Sequence, residues 1–220
     1  MNVVFEDEDY LAIDKPSGLL MHRGLGRDEI TLVDMVRQHT ASTPRPVHRL
    51  DRGTSGVVVF ARSADACAAL QASFQAGTVQ KTYVALVRGI SPLAGEIDHP
   101  VPRSEGGARV DAHTSFRQLE AFATTPRKLS LVVAIPRTGR FHQIRRHLKH
   151  INHPIIGDAN YGKGPLNRAI RDTYGLARLA LHAVRLEFAH PNTGCPIRIC
   201  ATMPDDFAEP LMRMRAGSEA

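Results

Sequence analysis

The chain has 220 residues, 43% of them hydrophobic, with 28 lysines and arginines against 22 aspartates and glutamates, a formal charge of +6. That is enough apolar residue for one substantial core or a domain with two lobes, and no disorder is required. The longest apolar runs, such as LSLVVAI at 129–135, fall short of a membrane span, which excludes a transmembrane segment of helical type. Three cysteines with no Cys-x-x-Cys pair exclude a disulfide framework and a zinc ribbon, and they read as reduced and structural. Acids in MNVVFEDEDYLAIDKP stand where a signal peptide carries basic residues, so the expected location is cytoplasmic. The basic excess favours a polyanionic partner.

In chain order, residues 3–5 and 10–13 read as strands joined through an acidic turn, followed by a turn at Pro16, Ser17 and Gly18. A helix is expected over 31–39, with Leu32, Val33 and Val36 on one side. The apolar run from Val57 to Phe60 reads as a strand. Ser63 caps a second helix whose stripe is Cys67, Leu70 and Phe74 and which Gly77 ends. Strands follow at 82–87 and 129–135; between them, Pro92, Pro100, Pro102 and the SEGG run at 104–107 interrupt any pattern, and SEGG reads as a mobile hairpin tip. In PRTGRFHQIRRHLKH, Phe141, Ile144, Leu148 and Ile151 recur at helical spacing as a buried stripe. Strands at 179–188 and 196–201 and a helix at 204–214 complete the chain. The order is not the regular strand-helix alternation of a doubly wound parallel sheet, so the fold class is α+β in a single domain spanning 1–220.

The most informative segment is VHRLDRGTSGVVVFA, residues 47–61. It sets Asp51 between Arg49 and Arg52 at the mouth of a very apolar strand, and ionised groups there are costly unless paired. In an extended segment Arg49 and Asp51 project to one face and Leu50 to the other, so a guanidinium and a carboxylate share a cleft. A surface ion pair feeding the turn at Gly53, Thr54, Ser55 and Gly56 explains the same residues structurally.

The order of residues here resembles the RluA-type pseudouridine synthase family, whose signature is HRLD, two variable residues, Thr-Ser-Gly or Thr-Thr-Gly and an apolar strand; His48, Arg49, Leu50, Asp51, Thr54, Ser55 and Gly56 all match. IDKPSGLLMHRG (13–24), QKTYVALVRG (80–89), PRTGRFHQIRRHL (136–148), HPIIGD (153–158), LALHA (179–183) and HPNTG (190–194) continue the family pattern in order. The resemblance implies the pseudouridine synthase fold, a long mixed, mostly antiparallel sheet with flanking helices around a central basic cleft and no appended RNA-binding module. It implies isomerisation of an RNA uridine to pseudouridine without nucleotide cofactor, metal or redox centre. Asp51 then acts as nucleophile at C1′ or as base at C2′, Tyr83 packs against the target uracil, and Arg145 pairs with Asp51. Arg49 matches the arginine associated with displacing the target nucleotide and filling the space left in the stack.

His48, Arg52, Arg140, Arg146 and Lys149 complete the expected RNA-binding set, although a solvated basic helix face accounts for the last three equally simply. The run from Gln143 to Arg168, with LALHA and HPNTG, looks most like the branch that modifies uridine-65 in the T-arm stem of tRNA; branches acting on 23S rRNA or other tRNA sites share most of these motifs. The chain reads as a monomer that meets neither DNA nor membrane. Three other readings compete. GDANYGKG, 157–164, nearly spells a phosphate loop, but Gly164 stands where Ser or Thr should bind magnesium. His142, His147, His150 and His153, spaced by five, three and three residues, match neither HExxH nor a zinc finger and read as unliganded. A non-catalytic RNA-binding protein explains the arginines but leaves Asp51 unexplained, because an acid in an RNA cleft weakens phosphate binding.

Overall fold

The computed structural model describes residues 1–23, 30–40 and 43–218; Gly24, which ends the IDKPSGLLMHRG motif, lies outside them. The chain is divided into two compact units that interleave in sequence: Met1–Lys81 with Ala183–Thr202, and Thr82–His182 with Met203–Ala220.

The first unit contains β1 (Asn2–Glu6), β2 (Tyr10–Lys15), α1 (Leu32–Thr40), β3 (Arg45–Pro46), β4 (Ser55–Ala61) and α2 (Ala64–Ala76). β5 (Gln80–Arg88) begins in it and continues into the second unit. The second unit adds β6 (Ala94–Asp98), β7 (Val101–Pro102), β8 (Arg109–Val110), β9 (His113–Phe122), β10 (Leu129–Pro136), α3 (Gln143–His150) and α4 (Gly164–Tyr174). β11 (Leu181–Ala189) leads back to the first unit, which β12 (Pro196–Cys200) completes, and α5 (Asp205–Ser218) belongs to the second.

In the first unit the strands run β1-β2-β4-β11, with β3 on β4 and β12 on β11. β1 with β2, β2 with β4, β3 with β4 and β11 with β12 are antiparallel. All seven residues of β4 are buried, the pattern of a strand covered on both faces, which is why its sequence is a run rather than an alternation. One core gathers Tyr10 and Ala12 of β2, Val57 and Val59 of β4, Ala66 and Leu70 of α2, and Leu186 and Phe188 of β11. α2 starts where the Ser63 hydroxyl accepts the Ala66 N–H at 3.1 Å and ends at Gly77, whose φ of 73° is left-handed.

In the second unit the order is β5-β10-β9-β6, again antiparallel at each pairing. The stretch that the prolines obscure in the sequence is mostly strand. β9 alternates buried and exposed residues over most of its length, and Pro92, Pro100 and Pro102 lie before or at the ends of strands, where a missing N–H costs little. β7 and β8 form a hairpin whose tip holds SEGG. α4, to which no expected element corresponds, opens with Pro165 in its first turn and closes at Gly175. α5 buries Phe207, Leu211 and Met214 on one stripe, and its Arg215 grips Glu120 of β9 through bonds of 2.7–3.1 Å.

Candidate active site

Asp51 lies half-buried in the first unit, in an irregular turn between β3 and β4, with Leu50 buried and Arg49 and Arg52 exposed on either side. The HRLD segment is not in a strand. The turn closes where Thr54 N–H donates to the Asp51 carbonyl at 3.0 Å. A second loop is stitched to it. The fully buried ammonium of Lys15 donates to the carbonyls of Pro16, Leu19 and Arg52 at 2.9, 2.8 and 3.1 Å. Ser17 Oγ donates to the Gly53 carbonyl at 2.7 Å, and Gly18 exchanges two bonds with Arg52. Such a cation is affordable in the interior because the carbonyls replace its lost water, and it fixes the backbone that carries Asp51.

Gly56 follows that turn at φ +112°, and a β-carbon there would lie 2.2 Å from the Ala183 carbonyl oxygen. Only glycine fits so close an approach of β4 to β11. His48 is held within the unit: Nε2 accepts the Val59 N–H at 3.1 Å and the ring stacks on Phe74, centroids 5.0 Å apart. Burial, and then the charge of Lys81, push its pKa down to about 3, so the imidazole is neutral at pH 7.

In the second unit, α3 buries polar residues along with Ile144 and Leu148, and each of them is bonded. Gln143 accepts from Thr138 Oγ1 and the Arg140 N–H at 2.6 and 3.0 Å, and donates to the His113 carbonyl and Thr114 Oγ1, both at 3.0 Å. His147 Nε2 donates to the His99 carbonyl at 2.9 Å, while its Nδ1 meets Thr114 Oγ1 at 2.9 Å. These bonds pin the start of the helix and its preceding loop to β9.

Arg145 is held by Asp158. Nε and Nη2 of the buried guanidinium donate to the two carboxylate oxygens at 2.8 and 3.0 Å. Asp158 Oδ1 also accepts the Asn160 and Tyr161 N–H groups at 2.9 and 3.0 Å. Burial pushes the Asp158 pKa up, but the bonds and charge of Arg145 and the two backbone donors outweigh it, and the value falls below the ordinary carboxylate range. The loop bearing Asp158 is itself tied to β5, with Ile156 N–H donating to Leu86 and Arg88 N–H to Pro154. Gly157 precedes it at φ +78°, where a β-carbon would stand 1.8 Å from the Arg178 carbonyl oxygen.

The Tyr161 ring lies 5.1 Å from both the Arg145 and the Arg146 guanidinium, and its hydroxyl is 3.0 Å from His142 Nδ1. His142 adopts φ 53° at the start of α3, a strained backbone for a residue other than glycine. The second unit thus brings Arg145, Arg146, His142 and Tyr161 together. Tyr83 sits on β5 opposite Ala134 and is half-buried, unlike the core residues Val84 to Val87 that follow it. Arg140 is half-buried and Lys149 exposed. Of the histidine run, His153 bonds the Arg88 carbonyl and His150 stacks on His99, so its members serve different neighbours. Asp158, Tyr161 and Gln143 are residues to which the sequence assigns no site role, and Lys15 gains from it none sharper than shaping the cleft. Asp158 ends the HPIIGD motif, yet nothing local marks its partner.

A model of the RNA pseudouridylate synthase family matches residues 9–150. Over 95% of its length the chain is 40% identical to a protein named tRNA pseudouridine synthase C from Pasteurella multocida, covering 94% of that protein. It is 39% identical, over 99% of its length, to ribosomal large subunit pseudouridine synthase D from Xanthomonas campestris, of which it covers 70%. Human RNA pseudouridylate synthase domain containing 4 shares the fold with a TM-score of 0.77 and 27% identity, over 97% of this chain and 93% of that one. The matched region includes both the Asp51 turn and α3, and the chain belongs to the RNA pseudouridylate synthase family.

Proposed function

We propose that the protein isomerises uridine-65 of tRNA to pseudouridine, with Asp51 as the reacting carboxylate. The N1–C1′ bond breaks, a C5–C1′ bond forms, the C5 proton leaves and N1 regains one, so no co-reactant is consumed. Asp51 attacks C1′ or takes the C2′ proton; either role needs an ionised carboxylate in a fixed orientation, and Arg145 supplies the opposing charge. Tyr83 covers the extruded base, while Arg49 and Arg52 meet the RNA beside it. His48 supports the turn from behind, and Arg140, Arg146 and Lys149 contact phosphates.

The single observation that carries the reading is the Asp51 turn itself, a half-buried acid flanked by exposed arginines and fixed from behind by the buried Lys15. The tRNA assignment is supported by the name of the Pasteurella relative; the Xanthomonas relative favours a ribosomal substrate instead. Single-turnover assays on a tRNA transcript separate these. Asp51→Asn is expected to abolish conversion of position 65 while RNA affinity holds or improves, since a negative charge near phosphate is removed. Turnover within tenfold of the parent contradicts the role of Asp51. If deleting the gene leaves tRNA position 65 unchanged and removes a ribosomal pseudouridine, the substrate is wrong while the chemistry at Asp51 stands.

A further inference from the structure

A cavity of about 380 Å³ in the second unit is lined by His99, Arg109, Arg146, Lys149, His150, Asn152 and Tyr161. It lies between α3 and the segment around the β7–β8 hairpin. Among the described residues, no acidic side chain lines it. Three permanent cations face one space, an arrangement that raises the free energy of the empty cavity and that an anion relieves.

The walls are built rather than incidental. Arg146 is stacked 5.6 Å from the Phe141 ring and 5.1 Å from the Tyr161 ring, and its buried Nε has no hydrogen-bond partner among the described residues. Arg109 is held by the Pro100 carbonyl at 2.6 and 3.1 Å and donates to His99 Nε2 at 2.8 Å. An arginine has only donors, so His99 accepts and is neutral. The ring then stacks on His150 with centroids 3.7 Å apart and planes at 16°. His147, bonded to the His99 carbonyl, ties the hairpin side of the cavity to α3.

We propose that this cavity binds a phosphodiester group of the RNA backbone, one ring away from Arg145. The inference rests on the reading of the chain as an RNA-modifying enzyme and adds His99, Arg109 and His150 to its RNA contacts. The Tyr161 ring, 5.1 Å from both Arg145 and Arg146, is what argues for RNA backbone over a free anion, because it joins the cavity to the proposed catalytic arginine.

The test is the salt dependence of tRNA binding by the full chain. Arg109 and Lys149 are both exposed, so Arg109→Ala/Lys149→Ala leaves the core intact. Loss of the one phosphate contact lowers the slope of log K against log salt by about 0.7–0.9, so between 50 and 200 mM KCl the wild type loses roughly 2.6- to 3.5-fold more affinity than the double variant. Lys149→Ala alone gives a smaller change in slope. Arg171→Ala/Arg198→Ala removes the same formal charge from arginines paired with Asp172 and Glu187, and keeps the wild-type slope. Equal slopes for wild type and Arg109→Ala/Lys149→Ala overturn the proposal. Inorganic phosphate, followed by titration calorimetry, is the second probe: phosphate binding lost in the double variant with an unchanged RNA slope assigns the cavity to free anion and also overturns it. A changed slope in a protein that forms no pseudouridine leaves this subsite standing and defeats the enzymatic reading instead. Pseudouridine formation with equal slopes does the reverse.

Discussion

Asp158→Ala isolates the ion pair that positions Arg145. The carboxylate accepts two guanidinium bonds at 2.8 and 3.0 Å and two backbone N–H bonds at 2.9 and 3.0 Å. Its removal takes from a buried arginine the carboxylate that holds it, and breaking such a pair from one side costs about 3–5 kcal/mol. For a protein of this size 1 kcal/mol shifts Tm by about 2–4 °C, so Tm should fall by roughly 6–20 °C. Asp158→Asn retains an oxygen for the Asn160 and Tyr161 N–H groups but loses the charge and turns an amide N–H toward the Arg145 Nε–H, so it should recover only part of the loss. Urea unfolding of the wild type, Asp158→Ala, Arg145→Ala and the double variant completes the cycle, and the double variant should be more stable than additivity predicts by at least about 1 kcal/mol. The native pKa of Asp158 is lowered, so the stabilisation is fully present above the ordinary carboxylate pKa and is lost as pH falls through the native value. The cycle measured at pH 7 therefore sees all of it. A loss below about 1 kcal/mol for Asp158→Ala, or additive single variants, refutes the argument from a buried, mutually dependent pair.

Three further outcomes follow from the geometry. His48 has a depressed native pKa of about 3, so its contribution is complete above the unfolded value near 6.5 and declines as pH falls toward 3, by up to about 1.4 kcal/mol per pH unit. An NMR titration should find its ring neutral down to pH 4; a midpoint near 6.5 contradicts the assigned burial. Gly56→Ala drives a methyl into the Ala183 carbonyl 2.2 Å away and should cost more than about 3 kcal/mol in urea unfolding, against an ordinary Gly-to-Ala stabilisation of about 0.4–1 kcal/mol where space allows. Tyr83→Phe should retain at least a tenth of the turnover if packing on the base is the main role, whereas Tyr83→Ala should lose about 100-fold or more, near the upper range of one lost stacking contact; equal losses in single-turnover assays would assign the hydroxyl to proton movement instead.

Much of this architecture is written in local patterns. Ser63 and Gly77 mark the ends of α2 because capping depends on residues within one turn of them. The run from Val57 to Phe60 announces a buried strand, and Gly53 to Gly56 announce a turn before it, since both depend on neighbours in sequence. The three short strands and β9 between 94 and 122 are obscured because prolines read as breakers wherever they occur, whereas their harm depends on whether the N–H faces a partner strand. α4 was hidden for a related reason: no side chain caps its start, so the segment resembles a loop until its packing is known.

The sequence alone determined that Asp51 stands between two arginines before an apolar strand and that Arg145 lies on an amphipathic helix, because the order of residues along one segment decides both. Only the tertiary structure decided that Arg145 is buried on Asp158, that the Lys15 ammonium is wrapped by three carbonyls, and that His99, Arg109 and Lys149 line one cavity. These outcomes turn on which charges lose water and what replaces it. That balance is set by groups from separate segments meeting in space, and no periodicity within a segment records it.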